Sequence, residues 1–107
     1  MKKTMDVKFQ SVAEAFEEFL KKYHSGESRA IKATEINKTI PLSPRQIREV
    51  VSHLRLNGVP ICSGSTGYYY AATTEELAKT KAFMVSHANA MLAAVEAMSE
   101  KENTLAI

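Results

Sequence analysis

The stretch from Pro41 to Gly58 constrains this chain most, because it writes a helix with both ends marked. Ser43 is a cap residue, Pro44 takes the first helical position, where its missing N–H costs nothing, and Gln46 completes a capping box. Ile47, Val50, Val51 and Leu54 then follow at the i, i+3, i+4, i+7 spacing of one buried stripe, and Asn57-Gly58 closes the element. The opposite arc carries Arg45, Arg48, Glu49, Ser52 and Arg55. Leu56 also falls away from the stripe, so it either packs under a neighbouring element or joins a contact surface. Just before, Lys32 to Ile40 offers Ala33, Ile36 and Ile40 for a two-turn helix that Pro41 stops. Two helices joined by a tight turn, over about 32–57, form a helix-turn-helix whose second helix has a basic outer face.

The flanks complete the order of elements. Phe9, Val12, Ala13, Phe16, Phe19, Leu20 and Tyr23 recur at spacings of three and four, predicting a first helix. A Ser11–Glu14 capping box starts it near Val12, and Gly26 stops it in a left-handed conformation. Ala30-Ile31 suffices for one small strand or an extended lead-in. Ile61-Cys62-Ser63 and Tyr68-Tyr69-Tyr70, joined by Gly64-Ser65-Thr66-Gly67, predict a hairpin over about 60–71. Period two puts Tyr68 and Tyr70 on one face, expected to be core, and leaves Tyr69 partly exposed on the other. Thr73 and Glu76 form a third capping box, after which nothing breaks a helix until about Lys101. Along it Leu77, Met84, Met91 and Met98 repeat every seven residues, with Ala88 and Val95 between them.

Composition excludes several classes. With 107 residues, 45% hydrophobic and 24% charged, the chain is one ordinary globular domain rather than a disordered segment. No apolar run is long enough for a transmembrane helix, and the start Met1–Asp6 leads into no apolar signal core. One cysteine builds no disulfide framework, so a cytoplasmic protein is expected. His24, His53, His87 and Cys62 lack ligand spacing, and no phosphate loop or nucleophile motif is present. The expectation is therefore a non-enzymatic protein with no metal, cofactor or small-molecule ligand. The net charge of +2 hides a division: Lys21 to Arg55 carries an excess of +5 and the remainder −3. Such a basic stretch is either a solvated face or the footprint of a polyanion.

Ile31 through Ala72 resembles the winged-helix DNA-binding domains found at the N-terminus of the bacterial biotin repressor and in related regulators. The run Ser43 to Arg55 is similar to that family's pattern of serine, basic residues, aliphatics and a terminal Leu-Arg. Gly58-Val59-Pro60-Ile61 followed by Gly67-Tyr68 is similar to its strand pair and wing. Small winged-helix proteins of bacterial and prophage genomes share these features. The resemblance implies an α+β, mostly helical fold: a winged helix-turn-helix over residues 1–73, followed by a long C-terminal helix and frayed tail over 74–107. It departs from the family at Pro44, often a basic position, and at the uncharged wing tip. No effector domain follows Ala72, so ligand response is not implied.

That resemblance implies a transcriptional regulator binding duplex DNA. Arg45, Gln46, Arg48, Glu49 and Ser52 would face base edges, since arginine pairs with guanine and glutamine with adenine. Gln46 is also claimed by its capping box. Lys32, Lys38, Ser43, Arg55, Ser65 and Thr66 would meet phosphates. The alternative is a winged-helix module for protein contact, as in phage or replication accessory proteins. A third use, single-strand stacking on the tyrosines, competes with their packing as core. The line Leu77, Met84, Ala88, Met91, Val95 and Met98 would be a homodimer seam or would fold back onto the domain.

Overall fold

Phe16, Leu20, Ile36, Ile47, Val50 and Ile61 come from four separate segments and are all shut off from solvent in one cluster. The computed structural model describes residues 7–105, so the Met1–Asp6 start considered above lies outside the described residues. Its elements are α1 (Val7–Tyr23), a 3-10 turn (Glu27–Arg29), α2 (Ala33–Thr39), α3 (Pro44–Leu56), β1 (Ile61–Gly64), β2 (Gly67–Tyr70), α4 (Thr74–Ser99) and α5 (Glu102–Leu105). The protein is α+β and mostly helical, with one antiparallel hairpin and a long helix towards its C-terminus. None of the described helices is long and apolar enough to cross a membrane.

The α1 start differs from expectation. The helix is already formed at Val7, so Ser11 lies inside it and the Ser11–Glu14 box is not used as a cap. Phe9 and Val12 explain the extension, since both pack against the core from this earlier turn. At the other end Tyr23 is exposed, its ring tilted against Phe19, so the buried stripe ends at Leu20. Gly26 has φ 89° but an extended ψ of 150°, so it is a kink into the 3-10 turn rather than a left-handed helix stop. Its N–H donates to the Tyr70 carbonyl at 2.8 Å.

The α3 signals are realised. Ser43 Oγ accepts from the Gln46 N–H while the Ser43 N–H donates to Gln46 Oε1, with Pro44 at the first turn. Ile47, Val50, Val51 and Leu54 are buried, and Gly58 takes φ 85° just past the helix.

The hairpin pairs Ile61 with Tyr70 and Ser63 with Tyr68, turning at Ser65-Thr66. Of the two forms expected at Ala30-Ile31, the structure has the extended lead-in with a single bridge: Ile31 and Tyr68 exchange N–H···O bonds of 2.9 and 2.8 Å. Gly67 sits tightly against that bridge at φ 123°, where a Cβ would run into the Ile31 carbonyl.

The expectation for Tyr69 is overturned, while Tyr68 and Tyr70 do pack on the core. Tyr69 is only 2% exposed, whereas Tyr68 and Tyr70 are half-buried against the helical core. The first turns of α4 lie on the hairpin face carrying Cys62 and Tyr69, bringing buried Thr80 to the tyrosine. Burial pushes the Tyr69 phenol up, partly offset by its hydrogen bond with Thr80. Both hairpin faces are therefore packed.

Thr73 Oγ1 caps α4 by accepting from the Glu76 N–H at 3.1 Å. The Glu76 carboxylate reaches beyond the cap, accepting from Ala72 N–H and Glu27 N–H, each at 2.9 Å. These backbone donors hold its carboxyl below the usual range, with the Glu27 bond contributing most. Past Thr80, every residue of α4 is exposed. Twenty-six residues at about 1.5 Å each make a helix of about 39 Å, which stands out in a molecule 55 Å long. A further helical turn, Glu102–Leu105, occupies the stretch expected to fray.

Gly67→Ala combines the clash with strained φ and should cost at least about 2 kcal/mol in urea unfolding. Gly58→Ala, with open space around it, should cost about 1 kcal/mol from φ alone. The stability owed to Glu76 is complete above the ordinary glutamate pKa and lost as pH falls through the lowered one. Wild type should therefore melt above Glu76→Gln at about pH 7, with the gap closing towards about pH 3.

Candidate nucleic-acid interface

The face of α3 turned from the core presents Arg45, Arg48, Glu49 and Ser52, all exposed on consecutive turns. Arg45 Nε lies 3.6 Å from Glu49 Oε2, an i,i+4 pair with both side chains mostly in water. Such a pair is worth about 0.5 kcal/mol or less, so it leaves the guanidinium free to exchange partners. Gln46 stands at the same end of the helix, but its Oε1 is held by the Ser43 N–H. A two-bond adenine contact needs both that oxygen and the amide nitrogen, so it would open the capping box. The Ser43 hydroxyl oxygen is likewise occupied as the acceptor of that box.

Arg55 has work inside the fold. Its Nε donates to the Ile61 carbonyl at 2.8 Å and its Nη2 to Ser63 Oγ at 3.2 Å. These bonds clamp the end of α3 to β1, and burial lowers the guanidinium pKa from its ordinary value. Two donors expected for phosphate are thus spent on setting the angle between helix and hairpin.

Charge reaches the hairpin tip from elsewhere. Ser65 and Thr66 are exposed there with no charge of their own, and Lys32 Nζ donates to the Ser65 carbonyl at 3.3 Å. Lys32 directly precedes α2, and the Ile31–Tyr68 bridge holds it beside the turn. Lys38, on the exposed side of α2, instead pairs with Glu35 at 3.2 Å. Sequence spacing gave no sign of the Lys32 placement, since the two segments are far apart in the chain.

Between α3 and the hairpin runs a shallow groove lined by Arg48, Ser52, Leu56, Ser63, Tyr68 and Met84. Leu56, 86% exposed, stands at its rim and does not pack beneath the hairpin. Arginine, hydroxyl and aromatic groups therefore share one surface with two apolar side chains. On α4, Leu77 is half-buried near the body, while Met84, Ala88, Met91, Val95 and Met98 are all exposed. Among the described residues, no cluster of His, Cys, Asp or Glu could hold a metal ion.

Comparison with protein-family models, curated proteins and solved structures returned no match.

Removing the clamp and removing a surface arginine should differ sharply. Arg55→Ala should lower unfolding free energy by about 1–3 kcal/mol, for two lost hydrogen bonds and lost packing. Arg48→Ala should stay within about 0.5 kcal/mol of wild type by the same urea titration.

Proposed function

We propose that the chain is a winged-helix protein that binds duplex DNA, with α3 in the major groove and the β1–β2 hairpin as wing. The carrying observation is the exposure of Arg45, Arg48 and Ser52 on the outer face of α3, with Arg48 and Ser52 sharing a groove with Ser63 and Tyr68 of a hairpin at whose tip Lys32 stands. A capped, amphipathic helix with its stripe buried keeps that face rigid, which base-edge contacts need. Arg45 and Arg48 are the base-reading residues in this proposal, with Ser52 one turn on and Glu49 orienting Arg45. Lys32, Ser65 and Thr66 contact phosphate from the wing, and Lys38 adds charge from α2 once it leaves Glu35. Ser43, Gln46 and Arg55 serve mainly to hold the interface in shape. The activity is non-enzymatic and of the transcriptional-regulator type.

A second reading has its own support. Leu56 beside Met84 is an apolar pair next to the basic face, which suits contact with an acidic protein surface.

Titrating duplex DNA into the protein at two salt concentrations separates the two. Duplex binding should weaken steeply with salt, by about one power of salt for each phosphate contact. Arg45→Ala or Arg48→Ala should cost about 1–3 kcal/mol of specific binding if that arginine reads a guanine. Absence of duplex binding even at low salt would favour the protein-contact reading, and stronger binding to single strands would contradict both.

A further inference from the structure

The projecting part of α4 is apolar around most of its circumference. Between Lys81 and Glu100 the sequence carries one formal charge, Glu96. Phe83, Met84, Val85, Met91, Leu92, Val95 and Met98 are all exposed, Met91 and Leu92 by 62% and 66%. Among the described residues nothing covers them. A helix of this composition is normally a buried one, so a partner surface is called for.

At about 100° per residue, Met84, Ala88, Met91, Val95 and Met98 fall on one line along α4. Val85 and Leu92 fall together on one flank of that line, and His87 and Ala94 on the other. We propose that a second copy of α4 covers this line, and that the two helices run antiparallel about a two-fold axis between Asn89 and Ala90.

Chain direction follows from charge and size. In the antiparallel arrangement Met84 meets Val95 of the second copy and Ala88 meets its Met91, so larger side chains oppose smaller ones. Each flank meets the same flank of the other helix. Val85 therefore packs on Leu92 of the second copy, and Lys81 arrives level with Met98 of the second copy, within a turn of its Glu96 and Glu100. The helix dipoles also oppose. A parallel pair would instead set Lys81 against Lys81 across the seam and Leu92 against His87, a like-charge contact and an apolar–polar mismatch.

The seam is continuous with the body. Leu77, Lys81 and Met84 line an apolar groove with Val59 and Pro60 at the root of α4, where the other helix would end. The overlap from Ala82 to Ala97 spans about 24 Å. Leu77 lies about 19 Å along the helix from the axis, so the roots of the two α4 helices stand about 38 Å apart.

Light scattering at tens of micromolar should give a dimer, twice the 11.9 kDa of the chain. Met91→Glu, a change on the open surface, should halve that mass while the body unfolds at an unchanged urea midpoint. Under mild oxidation, Met84→Cys mixed with Val95→Cys should form a mixed disulfide, and Met84→Cys alone should not link to itself. Native Cys62 is buried and stays out of this chemistry. A monomer mass, a Met91→Glu protein that remains dimeric, or self-linked Met84→Cys would each overturn the proposal. None of these results depends on whether DNA binds.

Discussion

The exchange of two backbone hydrogen bonds between Ile31 and Tyr68 is the contact on which the layout depends. It fastens the hairpin to the segment leading into α2, and Gly67 permits the approach by having no side chain. With the hairpin held there, Ile61 closes the helical core from one side while Cys62 and Tyr69 offer α4 a second, smaller core on the other. Lys32 is carried to the turn by the same bridge. The Arg55 clamp then sets the remaining degree of freedom, the angle between α3 and β1.

Polar side chains divide into those that hold the frame and those left over. Arg55, Glu76, Ser43 and Gln46 each satisfy backbone groups at element ends or between segments. Arg45, Arg48 and Ser52 remain on the exposed arc of α3, and that division makes the proposed DNA contact specific to a few residues. Fewer phosphate donors remain than the count of basic residues suggests, because Arg55 and Lys38 already have partners.

Much of the fold was legible in the chain. The capped start at Ser43-Pro44, the stripe Ile47-Val50-Val51-Leu54 and the hairpin glycines are local signals, and each appears where periodicity and turn chemistry place it. The misreadings have tertiary causes. Ser11 looked like a cap because its spacing to Glu14 fits, yet Phe9 gains enough burial to draw the helix back past it. Tyr69 looked outward because alternation alone cannot tell that a second layer covers the other face. The candidate face on α3 was legible as residue types, but Lys32 at the tip and Arg55 in the clamp were not.

Local pattern alone decides which segments of this protein are helical, where the hairpin turns, and that α3 keeps a basic arc away from its buried stripe. Backbone geometry and side-chain periodicity act over a few residues, so a one-dimensional reading reaches them. Tertiary structure decides which polar groups are consumed by the frame, which face of the hairpin α4 covers, and that α4 outruns its support after Thr80. Those outcomes turn on contacts such as Glu76 with Glu27 and Lys32 with Ser65, between residues remote in sequence. Only the closing of the core brings such groups within hydrogen-bonding distance.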